Sequence, residues 1–315
     1  MAPTILVAGA TGNTGRNTVE TLSKLISSSD AFRGHRILAL TRSASGAAAQ
    51  RLAQLPGVEV LEKNWADVTA DWLRENNVVR AFIAPHNQTN AFSEESTFLL
   101  AALHAGVEYV VRISTVAANV RPDCPAYYAR AHWAIETLLG SPEFERMKWT
   151  SLQPNNFSTF YLSFAADFIK HFRETGKQQP LRLAAAEDAP VGAVHSDDVG
   201  ALAAHLLVEK DVSKVKTRLV VNGPEDITGK QIVEMVEHYI GTKVEDVRYK
   251  DMSFVEQWFG NTTESKNVVF SVKNAMNVCW EGLASASTTS KEVLELAPPK
   301  TTAAEVLKLM VDGGN

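Results

Sequence analysis

The sequence predicts an α/β protein built on a doubly wound parallel sheet, with a smaller C-terminal lobe. Three observations predict it. Short apolar runs alternate with helix-period segments through the first two-thirds of the chain. Most of these runs are β-branched or leucine-rich, as expected of strands covered on both faces. A glycine-rich turn follows the first of them and opens a helical segment.

Taken in order, strands are expected at 4–8, 36–40, 58–61, 81–83, 109–113, 149–152 and 218–221, most of them β-branched or leucine-rich and bounded by turn residues. After the first strand, Val19, Leu22, Leu25 and Ile26 recur at helical spacing. Phe98, Leu99, Ala102 and Leu103 do the same before Gly106, which is placed as the glycine past a helix end. Further helices are expected at 127–139, 198–207 and 230–240. The pattern changes after residue 152, where an aromatic-rich segment spans 157–172. The spacing of Phe157, Phe160, Tyr161, Phe164, Phe168 and Phe172 predicts one helical stripe whose default role is packing. Its first turn, with Phe254, Trp258 and Phe259 opposite, is also placed to wall an aromatic pocket. Residues 285–290 read as a loop. The expected division is a sheet-bearing core of residues 1–154, rejoined by 190–222, and a lobe of 155–189 and 223–315 over the C-terminal edge of the sheet.

Composition excludes several functions. With 31 Lys and Arg against 36 Asp and Glu, the net charge is −5, so no basic field exists to hold a nucleic acid. The two cysteines, Cys124 and Cys279, lack any C-x-x-C or Cys/His spacing, which argues against a disulfide framework and against a metal site. No run approaches the roughly 18 apolar residues of a membrane span, and the N-terminal residues lack a basic region of the kind that opens a signal peptide. A soluble, cytoplasmic protein with no nucleic-acid or membrane partner is expected.

The turn itself reads Gly9-Ala10-Thr11-Gly12-Asn13-Thr14-Gly15. In a strand–turn–helix setting this spacing suits a dinucleotide: Gly9 permits the sharp turn, Gly12 lets a pyrophosphate approach the backbone, and Gly15 lets helix pack on strand. The helix N-terminus then offers free N–H groups to the phosphates. The alternative is a glycine-rich loop without a ligand. At the end of the second strand an NAD site usually carries a carboxylate for the adenosine 2′-hydroxyl; here Thr41-Arg42-Ser43 stands instead. An arginine pairs with a 2′-phosphate, with Arg16 as a candidate second donor, so NADPH/NADP is the expected cofactor. A solvated Arg42 is the alternative.

Gly9–Gly15 together with Arg42 resembles the atypical short-chain dehydrogenase/reductase superfamily, and within it the NmrA-like branch, related to the isoflavone-reductase-like enzymes. Ala84-Pro85, Ile113-Ser114-Thr115, His132-Trp133-Ala134-Ile135-Glu136, Trp149-Thr150-Ser151-Leu152-Gln153-Pro154-Asn155 and Val194-His195-Ser196-Asp197-Asp198-Val199 extend the likeness over about residues 4–240. The resemblance implies a Rossmann-type domain with the cofactor across the C-terminal ends of the strands. Gly9, Thr11, Gly12, Asn13, Thr14 and Gly15 would then meet the pyrophosphate, and Arg42 the 2′-phosphate. Ala84 and Pro85 would edge the cofactor's middle, Ser114 and Thr115 would approach the nicotinamide ribose, and Pro154, Asn155 and Phe157 would close over the nicotinamide.

Short-chain reductases commonly use Ser, Tyr and Lys, the last two as Y-x-x-x-K on one helix face. This chain offers Ser114, Tyr128 and His132, with histidine where lysine belongs. Tyr128 or His132 is the candidate proton donor; a packed helix histidine is the alternative for His132. His195 is weighed as catalytic, but Ser196 or Asp197 capping the following helix is simpler. The reading drawn is an NADPH-dependent reductase of a carbonyl or conjugated C=C in a hydrophobic, aromatic or polycyclic molecule. Two others stay open: a non-catalytic dinucleotide sensor that binds a protein partner, motivated by the missing lysine, and a non-redox isomerase or cyclase.

Overall fold

The computed structural model describes residues 2–214 and 217–313; the expected domain bounds at 1 and 315 lie outside them. Seven strands form one sheet: β1 (Thr4–Ala8), β2 (Arg36–Thr41), β3 (Val58–Glu62), β4 (Val78–Ile83), β5 (Tyr109–Ile113), β6 (Lys148–Pro154) and β8 (Arg218–Val221). Their order is β3-β2-β1-β4-β5-β6-β8, and every pair is parallel. All seven expected strands are present, so the predicted doubly wound sheet is the fold. A two-residue parallel pair, β7 (Leu181–Arg182) with β9 (Val247–Arg248), lies apart from it.

Side chains alternate faces along each strand. Ile5 and Val7 of β1 and Ile37 and Ala39 of β2 pack with Val19, Leu22 and Ile26 of α1 (Asn13–Ser28) and with Val199 and Leu202 of α8 (Ser196–Leu207). Leu6, Ala8, Leu38 and Leu40 turn the other way. They meet Leu73 of α3 (Ala70–Glu75), Phe98 and Leu99 of α4 (Ala91–Ala105) and Ile135 and Leu139 of α5 (Tyr127–Leu139). Each of the branched and aromatic side chains among them contributes about 1.5–3 kcal/mol when removed from water. The short α2 (Ala47–Leu52) seals the β2–β3 crossover through Ala49 and Leu52.

A third apolar cluster holds the C-terminal part together. Phe168 and Ile169 of α7 (Ser163–Thr175), Ile232 and Val236 of α9 (Gly229–Ile240) and Val306 and Leu307 of α14 (Ala303–Asp312) are its centre. The remaining helices are α6 (Ser158–Tyr161), α10 (Phe254–Phe259), α11 (Lys266–Val269), α12 (Asn277–Trp280) and α13 (Lys291–Leu296), and a 3-10 turn, Ala286–Thr288, occupies the expected loop.

The aromatic stripe is not one helix. Leu162, at φ −100° and ψ −1°, separates α6 from α7. Phe168 enters the core, while Phe160 and Phe164 face Phe254 at ring distances of 5.7 and 5.2 Å. The cap of α8 also differs from expectation. His195 is the N-cap, its Nδ1 accepting from the Asp197 backbone N–H at 3.3 Å, and Asp197 lies inside the first turn.

Candidate functional site

The strand order reverses between β1 and β4, which opens a crevice at their carboxyl ends. Gly9 follows β1 and Ala84 follows β4, and they border a cleft of about 690 Å³. Gly9 has φ +78°, a left-handed conformation that glycine adopts without strain. Gly15 is buried beneath the turn, where an added Cβ would stand 2.1 Å from the Gly9 carbonyl oxygen. That differs from a pyrophosphate contact: Gly15 lets α1 approach the turn closely and does not border the cleft.

Gly9, Thr11, Gly12, Asn13 and Thr14 line one wall. The first turn of α1 has no side-chain cap and no acidic residue, so its N–H groups and the positive end of the helix dipole are available to an anion. Thr11 is tied to Thr41 at the end of β2, hydroxyl to hydroxyl, at 3.0 Å. The loop beyond is held by Glu62, whose carboxylate accepts from the Ala44 N–H at 2.9 Å. This places the exposed Arg42 on the cleft wall.

Lys63, the residue after β3, lines the same wall. Sequence reasoning missed it, although a cation directly after the third strand is a readable signal, because β3 is the neighbour of β2. Arg16 is not there. It pairs with Asp197 of α8 at 3.0 Å, which corrects its candidacy as a second phosphate donor. An anion-receptive helix end and, beyond it, two cations form a donor set that fits a phosphorylated dinucleotide. Ala84, Pro85 and His86 form the opposite edge, with Trp65 beside His86.

Phe157 borders this cleft and also a second, apolar cavity of about 330 Å³. Phe160, Phe254, Trp258 and Phe259 wall that cavity as the sequence predicts, with Met252, Val272 and Met276 added by residues whose spacing gave no signal. Ser114, Thr115, Tyr128, Pro154 and Asn155 also line it. Ser114 follows β5, and its buried Oγ has no hydrogen-bond partner among the described residues. An orphaned hydroxyl there is a donor awaiting a ligand atom.

Asn155 is committed elsewhere. Its Nδ2 donates to Asn222 Oδ1 and to the Ala284 carbonyl, both at 2.8 Å, and its Oδ1 accepts from the Asn156 N–H. It shapes the wall by joining the ends of β6 and β8. Burial pushes the Tyr128 phenol up to about 12, against a hydrogen bond with Thr115 that lowers it, so it is a neutral O–H at physiological pH.

His132 lies behind this wall and not in it. The buried guanidinium of Arg112 donates from Nη2 to His132 Nδ1 at 2.7 Å, and His132 Nε2 stands 3.2 Å from Asn87 Oδ1. Burial, with Arg112 beside it, holds the imidazole well below its ordinary pKa. The candidate proton-donor role for His132 is corrected on this geometry: the ring is neutral and engaged on both nitrogens. Arg112 is fixed by Glu95 at 2.5 and 2.9 Å and by Ser151 at 2.9 Å. Behind them Glu136 accepts from Ser151, Gln153 and Arg218. His195 borders neither cavity; it caps α8.

A doubly wound sheet, a glycine turn at its switch point and an adjoining, partly open apolar cavity are features of nucleotide-binding α/β folds. The NmrA-like family model matches residues 1–305, and the chain belongs to that family. No curated protein matches it in sequence. Among solved structures, the chain is similar to an NADPH-dependent quinone oxidoreductase of Escherichia coli in complex with NADPH, at TM-score 0.71 and 21% identity over 96% of this chain and 98% of that one. It is also similar to the triphenylmethane reductase of a Citrobacter species in complex with NADP(H), at 0.68 and 18% over 98% and 99%. Isoflavone reductase superposes at 0.66 and 17% over 99% and 100%. These likenesses establish the shared fold. Among the described residues no helix is long and apolar enough to cross a membrane.

Proposed function

We propose that the protein is an NADPH-dependent reductase of a carbonyl or conjugated C=C in a hydrophobic aromatic molecule. The observation that carries this is Phe157, a residue that lines both the anion-receptive cleft and the aromatic cavity. A ligand in the first would then lie beside a ligand in the second. NADPH is preferred to NADH because Arg42 and Lys63 line the far wall of the cleft and can pair with a 2′-phosphate. The names of the similar quinone and dye reductases agree with the reading.

When bound, the cofactor supplies a hydride. The chain's own residues do the rest. The uncapped end of α1 and the two cations bind phosphate. Phe157, Phe160 and Phe254 exclude water, and the unpartnered Ser114 hydroxyl is free to orient a polar ligand atom. Tyr128 gives a proton to the atom that gains electron density. Its high pKa makes it a weak acid at rest but a competent donor to an alkoxide or a carbanion, which are stronger bases, and it recovers its proton from water. The panel that tests the proposal is purified protein with NADPH and a set of enones and quinones. Saturable NADPH oxidation by at least one member is expected; tight NADPH binding with no turnover of any member would count decisively against it.

One observation favours a second reading, a regulatory dinucleotide-binding protein with a protein partner. One turn on from Tyr128, His132 is held neutral, so the helix lacks the cation that activates tyrosine in related reductases. Under that reading Tyr128→Phe leaves the function unchanged, and a partner co-purifies with the NADPH-loaded chain.

A further inference from the structure

The segment after β4 alternates in what it lines. His86 and Gln88 border the cleft, and Asn87 between them borders the aromatic cavity. Asn87 is exposed, yet it is held at two points. The Tyr127 hydroxyl donates to its backbone carbonyl, and its Oδ1 meets His132 Nε2 at 3.2 Å.

The direction of that second bond is set from the far end. Glu95 fixes the Arg112 guanidinium, which has only donors to offer. Arg112 Nη2, 2.7 Å from His132 Nδ1, therefore makes Nδ1 the acceptor. The ring hydrogen then sits on Nε2, and the Asn87 atom that meets it has to be the carbonyl oxygen. The Nδ2 amide is left with two hydrogens and no hydrogen-bond partner among the described residues, on a residue that borders the cavity. Each link donates outward, from buried charge to cavity.

From this we infer that Asn87 is a substrate-contacting residue, donating a hydrogen bond from Nδ2 to a carbonyl oxygen of the aromatic substrate, with His132 as the positioning residue that fixes its direction. The inference rests on the reductase reading for the identity of the cavity as the substrate site. It narrows the substrate to an aromatic ring system bearing a carbonyl, of the quinone or aryl-enone type. A hydrocarbon cannot use the amide. The bond also draws electron density from the carbonyl, which favours hydride addition. The enone product takes its proton from Tyr128, whereas a hydroquinone anion, a weaker base than the Tyr128 phenolate, takes its proton from solvent.

The test uses NADP⁺-loaded protein, so that no turnover intervenes, and compares 1,4-naphthoquinone with naphthalene by titration of intrinsic tryptophan fluorescence. Asn87→Ala should weaken naphthoquinone about five-fold and leave naphthalene unchanged. His132→Leu, which cannot hold the amide, should give the same selective loss. His132→Gln should restore the affinity that leucine loses, because a glutamine can accept from Arg112 and donate to Asn87. Equal loss for both ligands, indifference of Asn87→Ala, or no uptake of naphthoquinone by the loaded wild type overturns the inference. A loss of NADP⁺ affinity in Asn87→Ala overturns it too, by assigning the amide to the cofactor. Failure of the reductase reading shows separately, as absence of turnover across the whole panel.

Discussion

Arg112 donates to His132 across 2.7 Å inside the protein, so a neutral imidazole stands between a buried full charge and the cavity. Protonating the ring would set two cations side by side out of water, which is why both burial and Arg112 hold its pKa down.

Acid sensitivity follows. The unfolded chain carries an ordinary histidine, with a pKa near 6.5, and binds a proton there that the folded protein refuses. Protons then favour the unfolded state, and stability falls as pH drops through about 6.5 toward the depressed folded value. The slope is at most about 1.4 kcal/mol per pH unit for the one group. His205, also shifted down by burial, adds to the same limb. Urea midpoints at pH 7.5, 6.5 and 5.5 should fall less steeply for His132→Gln than for the wild type. Parallel falls would show that His132 does not report on this charge.

Cofactor choice should lie with two side chains. Arg42 and Lys63 line one wall of the cleft, both with access to solvent, so each bond is screened. Arg42→Ala should raise the NADPH dissociation constant about ten-fold and leave NADH within about two-fold, and Lys63→Ala should do likewise. Calorimetry with both nucleotides decides it. Equal loss for NADH would mean that the cations serve the pyrophosphate.

Tyr128→Phe removes a phenol that borders the cavity and is linked to Thr115. Turnover of an enone should fall at least about 100-fold, with NADPH binding unchanged. Because burial raises the wild-type phenol to about 12, its ionisation contributes no loss of rate between pH 7 and 10. An alkaline decline in that range which disappears in Tyr128→Phe would refute the assignment.

The sheet is legible because its central strands are covered on both faces and read as largely apolar runs. At the start of β4 a charge masks the strand. β4 begins at Val78, three residues before the apolar run 81–83, and includes Arg80. That guanidinium is buried against Phe32 and donates to the Leu207 and Glu209 carbonyls at 2.9 and 2.7 Å. The C-terminal helices carry a different signal. Thr302 and Glu305 form a capping box at the start of α14, as Thr228 and Gln231 do for α9. Periodicity alone overlooks that device. The glycine turn, Arg42 and the aromatic wall were readable because local spacing sets them. The environment of His132 was not. Its partners come from β5 and from the loop after β4, 20 and 45 residues away, and only the fold brings them to one place.

Arg112 itself supplies the stability test. It is fully buried near the end of β5, where two acids, Glu95 and Glu136, balance it and Arg218. Glu136 is 3.7 Å from Arg112 and already bonded to Arg218 at 2.6 Å, so it cannot replace Glu95. Glu95→Ala therefore strands a guanidinium in the interior and should cost about 3–5 kcal/mol, read as a lowered urea midpoint with an unchanged m value. If the stranded charge is the cause, Glu95→Leu combined with Arg112→Met should lose less than Glu95→Ala alone, even though it also removes the bonds to Ser151 and His132. A double variant less stable than the single would place the cost in those lost hydrogen bonds instead of in uncompensated charge.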